Sequence, residues 1–232
     1  MPPVTLITGA RAGIGRSLAE HYAVLGHAVV GCSRNPVDWS LEGYEHHVAD
    51  VADPDAVGRM FAEIRRRFGA IDHVVNNAGI ASMNHALLTP STTVERILST
   101  NVAGTFLVAR EAAKIMARRG WGRIVNLSTV AVPLRLAGEA AYVASKAAVV
   151  MLTQVLSKEF APFGITVNAV GPGPMRTHLT EGVPEPKLEQ LLDQQAIHRF
   201  ATVSDVVNVV DFFLRRESDF VTGQTVYLGG VA

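Results

Sequence analysis

The sequence predicts an α/β fold in which helices cover both faces of a doubly wound, parallel sheet of seven strands. Short β-branched runs alternate with longer helical patterns along the 232 residues. Most of the short runs are apolar on both faces, as expected for strands that lie buried between two helical layers. In a doubly wound sheet, ligands bind in the crevice at the carboxyl ends of the strands. We therefore expect the loops that follow strands to carry the chemistry.

Seven strands and five helices are predicted in chain order. The predicted strands are Val4–Thr8, Ala28–Cys32, His46–Ala49, His73–Asn76, Arg123–Leu127, Thr166–Val170 and Thr225–Leu228. The predicted helices are Ile14–Leu25, Pro54–Phe68, Thr93–Arg119, Tyr142–Phe160 and Ser204–Arg215. Asp53 before Pro54 is a typical helix start. Several prolines and glycines make Gly171–Pro186 the least regular stretch, and we interpret it as a mobile flap over the site.

The composition indicates one globular domain spanning residues 1–232. Hydrophobic residues make up 48% and charged residues 18% of the chain, which favours a large buried core. The 21 basic and 21 acidic side chains balance, so there is no positive surplus to indicate a nucleic-acid or membrane partner. No signal peptide is evident, and no uncharged apolar run approaches the roughly 18 residues of a membrane span. These features predict a cytoplasmic protein.

Metal and disulfide chemistry are not indicated. Cys32 is the single cysteine, which excludes an internal disulfide, and we interpret it as a small buried hydrophobe. No group of His, Asp and Glu residues has the spacing of metal ligands, so a metal-dependent hydrolase is poorly supported and no metal is predicted.

A glycine-rich turn follows the first predicted strand and runs directly into a helix. Its sequence is Thr8-Gly9-Ala10-Arg11-Ala12-Gly13-Ile14-Gly15. Gly9 permits the tight turn, while Gly13 and Gly15 let the backbone approach a pyrophosphate and pack against the sheet. The amino end of the helix then offers free N–H groups to phosphates. The turn predicts a Rossmann-like dinucleotide site that includes Gly9, Arg11, Gly13, Ile14 and Gly15.

The second predicted strand ends in Gly31-Cys32-Ser33-Arg34, without the carboxylate that would bind the ribose 2′-hydroxyl of NAD. Arg34 can instead pair with a 2′-phosphate, assisted by the Ser33 hydroxyl and by Arg11. We therefore favour NADP(H) over NAD(H), although Arg34 as a plain solvated loop residue is the alternative. Asp50 and Val51, after the third strand, are predicted to seat the adenine edge, and Asp50 could equally cap the next helix.

Tyr142 and Lys146 lie four residues apart, so on a helix they share one face. A phenol with a pKa near 10 is a poor acid or base at neutral pH. A nearby ammonium, together with a positive nicotinamide ring, would shift the pKa of the tyrosine towards the working range. The pair predicts proton transfer, and an ordinary helix surface is the alternative.

Five motifs in order resemble those of the short-chain dehydrogenase/reductase family across nearly the whole chain. Thr8–Gly15 is similar to its TGxxxGxG turn, Asn76–Gly79 to NNAG, Asn101–Gly104 to NxxG, Tyr142–Lys146 to YxxxK and Pro172–Thr177 to PGxxxT. The resemblance implies hydride transfer between a nicotinamide dinucleotide and a carbonyl or alcohol substrate.

The resemblance also implies roles for individual residues. Tyr142 would be the general acid in reduction, Lys146 would bind the nicotinamide ribose, and Asn101 would hold a water of a proton relay. The remaining cofactor contacts would be made by Asn77, Ala78, Gly79, Gly173, Met175 and Thr177. The alternative for Asn101 is that a mid-helix asparagine beside Gly104 only marks a kink.

The sequence departs from the family pattern thirteen positions before the tyrosine, where the family has a serine and this chain has Thr129. Thr129 keeps the hydroxyl donor, and the hypothesis is that it orients the substrate oxygen, with Ser128 as the fallback. At the carboxyl end the chain lacks the family's Asp-Gly-Gly. The resemblance implies a homotetramer, and apolar positions in the helix from Thr93 favour pairing between subunits.

Within the family the chain is most similar to the 3-oxoacyl-acyl-carrier-protein reductases, which implies reduction of a ketone to a secondary alcohol. Gly120-Trp121 and Pro162-Phe163 stand where carrier-docking members place basic residues, with Arg118 and Arg119 adjacent, so carrier-bound and free substrates both stay open. The alternatives are an NADP(H)-binding sensor with little turnover and an alcohol dehydrogenase that works mainly in oxidation. A sugar-nucleotide epimerase would need a second domain, for which the chain has no room.

Overall fold

The computed structural model describes residues 2–176 and 185–231, and it is built around a parallel sheet of seven strands. The strand order is β3-β2-β1-β4-β5-β6-β7. The strands are β1 Val4–Thr8, β2 Ala28–Ser33, β3 Tyr44–Val48, β4 His73–Asn76, β5 Gly122–Leu127, β6 Ile165–Gly171 and β7 Thr225–Tyr227. The order reverses between β1 and β4, which creates a crevice at their carboxyl ends. The predicted doubly wound α/β sheet is confirmed.

Helices cover both faces of the sheet. They are α1 Gly13–Val24, α2 Pro54–Phe68, α3 Ser91–Leu98, α4 Gly104–Met116, α5 Ala131–Leu134, α6 Ala140–Phe160, α7 Glu185–Asp193 and α8 Val203–Leu214. Helices α2, α4 and α6 contribute to one apolar cluster, and α1 and α8 contribute to the other. Adjacent residues of β1 belong to opposite clusters, Leu6 to the first and Ile7 to the second, because successive strand side chains point to opposite faces.

The predicted helix Thr93–Arg119 is the main correction to the predicted elements. The chain forms α3, then a π-helical turn at Ser99–Ala103, then α4 and a final 3₁₀ turn at Ala117–Arg119. The N–H of Gly104 donates to the carbonyl of Ser99, five residues back, where a regular helix would use a carbonyl four residues back. Continuous helical periodicity in the sequence does not reveal such a local widening.

Smaller differences occur at the ends of elements. β3 begins at Tyr44 rather than His46, and α6 begins two residues before Tyr142. The single turn α5 and the helix α7 were not predicted. The predicted start of α2 is confirmed, because the Asp53 side chain accepts a hydrogen bond from the N–H of Asp55.

Helix α6 is a core helix of the sheet. The segment Ala140–Phe163 is long and apolar enough to cross a membrane by length and composition alone. However, it packs against β6 and buries Ser145, Lys146 and Thr153. Its apolar character is thus explained by burial against the sheet.

Candidate active site

The turn between β1 and α1 is fastened to the loop after β4 by a set of hydrogen bonds. The Thr8 hydroxyl accepts from the N–H groups of Asn77 at 3.1 Å and Ala78 at 2.9 Å. The Asn77 amide in turn donates to the carbonyls of Thr8 at 2.9 Å and Gly9 at 3.3 Å. The structure therefore brings two of the predicted cofactor segments together at the switch point of the sheet.

The glycines of this turn form a cradle that larger residues would fill. A Cβ atom on Gly15 would lie 2.3 Å from the Gly9 carbonyl oxygen. Gly9 has a φ of +68°, and its N–H donates to the carbonyl of Cys32 at 2.8 Å. Gly13 faces open space, and Ala12 provides no side-chain cap for α1. Free N–H groups at the start of α1, which include that of Ile14, therefore fit a pyrophosphate.

The end of β2 presents basic side chains to solvent. Arg34 and Arg11 are both exposed, and among the described residues Arg34 makes no ion pair. The Ser33 hydroxyl donates to the Asn35 carbonyl at 2.6 Å, so it accepts a hydrogen bond from the Nε2–H of His46 at 2.9 Å. His46 was missed at the sequence level, and its place beside Ser33 follows only from the pairing of β2 with β3.

Asp50 and Val51 follow β3, and their predicted contact with the adenine edge stays a prediction. The Asp50 side chain accepts from the N–H of Ala52 at 2.9 Å, and Asp53 rather than Asp50 caps α2. The Val51 side chain is buried against Gly104, where an added Cβ would lie 2.7 Å from Val51 Cγ2. Val51 can therefore offer a ligand its backbone but not its side chain, because close packing of the loop against α4 takes the side chain inward.

The Thr129 hydroxyl lies near enough to the Tyr142 hydroxyl to lower the pKa of the phenol, and the Thr129 oxygen also accepts a hydrogen bond from the N–H of Ala131 at 3.2 Å. Ser128 points elsewhere: it is buried, its hydroxyl donates to the Lys146 carbonyl at 3.4 Å, and it lies close enough to the Tyr227 hydroxyl to lower the pKa of that phenol. Thr129 and Ser128 are adjacent at the end of β5, so their side chains leave the chain on opposite sides. The structure thus brings Thr129, and not Ser128, to the tyrosine.

Lys146 is a buried amine one helical turn beyond Tyr142. It is 5% exposed, and its Nζ donates to the Leu127 carbonyl at 2.7 Å. Burial lowers the pKa of Lys146 to about 8. Burial also raises the pKa of Tyr142 to about 12, a rise that Glu139 increases and the Thr129 hydroxyl opposes.

The expected lowering of the tyrosine pKa is therefore not produced by the protein's own groups. The penalty of burying a phenolate is the largest influence on Tyr142, while the Lys146 ammonium is engaged with a carbonyl.

Asn101 lies in the π-helical turn and is fully buried. Its Oδ1 accepts from the N–H of Ile80 at 2.8 Å, and its Nδ2 donates to the Ile80 carbonyl and to the Ser145 hydroxyl, both at 2.9 Å. A Cβ on Gly79 would lie 3.3 Å from both Asn101 Oδ1 and Lys146 Nζ. Asn101 therefore marks a local helix distortion, as the alternative expected, and it also borders the site beside Lys146.

The loop after β6 completes the described site. Met175 is buried, and a Cβ on Gly173 would lie 2.6 Å from Oε1 of Gln195. Gln195, buried after α7, was not predicted because nothing in the sequence pattern distinguishes it. Thr177, as well as residues 178–184 of the expected flap, lies outside the described residues. Cys32 is buried and burial raises its pKa to about 12, which confirms the interpretation of a small core residue.

A dinucleotide cradle at the switch point, beside a tyrosine, a lysine and a hydroxyl, defines an oxidoreductase. The family model described as enoyl-(acyl carrier protein) reductase matches residues 9–230. The chain is 35% identical over 240 aligned residues to 3-oxoacyl-acyl-carrier-protein reductase FabG of Staphylococcus aureus, which covers 99% of this chain and 98% of that protein. The chain belongs to the short-chain dehydrogenase/reductase family, as its motifs predicted.

Two further likenesses bear on the cofactor. The chain is 34% identical to NADPH-dependent aldehyde reductase 2, chloroplastic, of Arabidopsis thaliana, over 98% of this chain and 92% of that protein. The crystal structure of NAD⁺-bound xylitol dehydrogenase superposes with a TM-score of 0.88 at 28% identity and covers 98% of both chains. A pyridine nucleotide is therefore a common feature of these relatives, while the choice between its two forms differs among them.

Proposed function

We propose that the protein is an NADP(H)-dependent reductase that converts a ketone, either 3-oxoacyl-like or a related small carbonyl, to a secondary alcohol. The single observation that carries this proposal is the placement of the Thr129 hydroxyl beside the Tyr142 hydroxyl, with the buried amine of Lys146 one helical turn away. The bound nicotinamide would supply or accept the hydride.

In this reaction the residues of the chain position the carbonyl and move a proton. Thr129 would hold the substrate oxygen against Tyr142, and the Tyr142 hydroxyl would donate its proton as the oxygen gains charge. Lys146 would place a positive charge beside the phenol, and Gly79 leaves room next to Lys146 and Asn101 for the proton to be replaced. The backbone of the glycine turn and the loops at Asn77–Gly79 and Gly173–Thr177 would hold the dinucleotide.

The preference for NADP(H) rests on the charge at the end of β2. Arg34 and Arg11 are exposed, and neither side chain makes an ion pair with a described residue. Two guanidinium groups at this place suit a 2′-phosphate, to which each can donate two hydrogen bonds. The likeness to an NADPH-dependent plant reductase supports this choice, and NAD(H) is the alternative.

The test is to follow NADPH absorbance, with NADH in parallel, across acetoacetyl thioesters, diketones and cyclic ketones. Arg34→Ala should raise the KM for NADPH by about tenfold or more, since one charge-assisted hydrogen bond contributes about 1.5–3 kcal/mol, and should leave the KM for NADH unchanged. Arg59→Ala, at an exposed position of α2, is the matched control. Turnover with NADH alone would refute the role of Arg34, and tight NADPH binding without any oxidation would favour the sensor alternative.

We further propose a cytoplasmic homotetramer in which residues 1–232 act as one dinucleotide-binding domain. Of the apolar positions on which the predicted pairing rests, Val108, Ala112 and Ile115 are buried in the protein's own core, while Val102 and Leu107 are partly exposed. Phe106 and Met151 are instead exposed, beside an apolar hollow between the π-helical turn, α4 and α6. Sedimentation of Phe106→Asp should show loss of the larger species, and a monomeric unmodified protein would contradict the tetramer.

A further inference from the structure

A second concave site of about 400 Å³ lies at the opposite edge of the sheet from the candidate active site. Pro3, His73 and Trp121 line it at the amino ends of β1, β4 and β5, while Thr129 and Asn77 follow the carboxyl ends of the same strands. His73 and Asn77 are four residue steps apart at the two ends of β4, which corresponds to about 13 Å at about 3.3 Å per residue. The two sites are therefore separate.

Aromatic rings form a continuous wall of this hollow. The Tyr22 and His27 rings stack with centroids 5.1 Å apart, His27 and His73 stack at 5.4 Å, and His73 meets the edge of Trp121 at 5.5 Å. Four packed rings cannot easily rearrange, so the wall presents fixed polar atoms.

The two histidines are held as neutral rings in opposite tautomers. Burial lowers the pKa of both, that of His73 to about 4. The Thr5 hydroxyl bridges their Nδ1 atoms, at 2.8 Å from His27 and 3.0 Å from His73. One hydroxyl has one proton, so it donates to one ring and accepts from the other. One Nε2 must then be an N–H donor and the other an acceptor.

His73 is 7% exposed, and its Nε2 has no hydrogen-bond partner among the described residues, although the ring lines the hollow. His73 Nε2 is not among the fully buried polar atoms that lack a partner, so solvent or a ligand in the hollow can reach it. Because no described residue hydrogen-bonds to His73 Nε2, its hydrogen-bond partner would come from the hollow.

The acidic groups of the hollow are already engaged within the protein. Asp72 accepts from the N–H of Val4 at 2.8 Å and from Arg119 at 2.9 Å. Asp211 accepts from the Tyr22 hydroxyl at 2.6 Å and also contacts His21 Nε2 at 3.0 Å. Asp72 is therefore paired with a guanidinium, whereas Asp211 has hydrogen-bond donors but no Lys or Arg partner among the described residues.

The basic groups are not engaged in the same way. Arg216 lies over the Trp121 ring at 4.8 Å, as does Arg123. The Arg123 guanidinium donates hydrogen bonds to the carbonyls of Gly122, Arg215 and Arg216. Arg215 and Arg216 line the hollow, are exposed, and form no ion pair with a described carboxylate. Arg215 and Arg216 together carry more charge than the Asp211 carboxylate, so the net charge around the hollow is positive.

We propose that this hollow binds a small oxyanion ligand, a carboxylate or a phosphate, held by the guanidiniums of Arg215 and Arg216 and by an imidazole N–H of the ring wall. Guanidinium groups match both kinds of oxyanion with paired hydrogen bonds. Stacking of Arg216 on Trp121 holds one guanidinium in place before binding, which reduces the entropy lost on binding.

The two tryptophans of the chain allow the hollow and the cofactor side to be observed separately. Trp121 lines the hollow, while Trp39 donates to the Arg11 carbonyl beside the glycine turn. The experiment titrates Trp39→Phe with sodium phosphate and, separately, sodium citrate, and follows Trp121 fluorescence. Sodium chloride at matched ionic strength is the control for screening. We expect saturable changes with at least one oxyanion and no saturation with chloride.

Arg215→Gln/Arg216→Gln in the same background should weaken binding about tenfold or more, while Arg34→Gln should leave it unchanged. Thermal unfolding checks that the double variant is folded. Ring ¹⁵N spectra give a second readout, because the His73 Nε2 signal should move on titration. A response that does not saturate, or one that persists in the double variant, would overturn the proposal. Saturation with phosphate alone or with citrate alone would identify which oxyanion the hollow accepts.

Discussion

Removal of the Thr129 hydroxyl tests the candidate active site most directly. Thr129→Ala removes the one neighbouring side-chain hydroxyl that lowers the pKa of Tyr142. A hydrogen bond to a group that becomes charged contributes about 1.5–3 kcal/mol, which corresponds to a roughly 10- to 150-fold fall in kcat. Thr129→Ser keeps the hydroxyl and should retain most activity. Ser128→Ala should stay within about twofold, because Ser128 contacts the Lys146 carbonyl and Tyr227 instead.

Initial rates of ketone reduction and of alcohol oxidation, each measured across pH, check this expectation. In oxidation Tyr142 must lose its proton to act as the base, so the rate rises with pH through the pKa of Tyr142. Loss of the Thr129 hydroxyl raises that pKa, and the rising limb should move to higher pH in Thr129→Ala. Full activity of Thr129→Ala together with an inactive Ser128→Ala would refute the assignment.

Three further changes are expected to separate packing from chemistry. Gly15→Ala should abolish dinucleotide binding and lower Tm, because the added Cβ would lie 2.3 Å from the Gly9 carbonyl oxygen. Gly58→Ala, at an open position of α2, should instead raise the free energy of unfolding by about 0.5–1 kcal/mol. Equal Tm changes of the two variants in calorimetry would contradict this expectation. Lys146→Met should stabilise the fold by up to about 3 kcal/mol near pH 7, because the folded state there carries a buried ammonium whose pKa has fallen from 10.5 to about 8. Since the unfolded state binds the extra proton between these two values, stability of the unmodified protein rises with pH across this window and the difference between the two proteins should shrink, as urea titrations would show. Asn126→Ala should cost at least about 2 kcal/mol, because Asn126 accepts from the buried Asn76 amide at 2.9 Å, and an unchanged urea midpoint would exclude that role.

The sheet and most of the site could be predicted because their signals are local in the sequence. β1 was predicted with its observed bounds, since a fully buried parallel strand appears as an unbroken apolar run. The glycine turn and the Tyr142–Lys146 pair also lie within single short segments. Their positions follow from the order of strand and helix alone.

What could not be predicted depends on pairing between distant segments. His46 reaches Ser33 only through the register of β2 and β3, and Gln195 reaches Gly173 only after the chain has folded back. The choice between Thr129 and Ser128 depends on which side of β5 each side chain leaves. The pKa of Tyr142 was expected to fall because the sequence shows the neighbouring amine but does not show the depth of burial.

The π-helical turn Ser99–Ala103 holds one residue more than a regular helix of the same span would need. Removing one residue there would let the helix run without interruption and keep the flanking segments in nearly the same orientation, but it would change the directions of the side chains within the turn itself. Asn101 would then leave Ile80, although a more regular backbone could fold as well or better. Shortened versions of this segment are thus a route by which a descendant of this chain keeps its architecture and loses its chemistry.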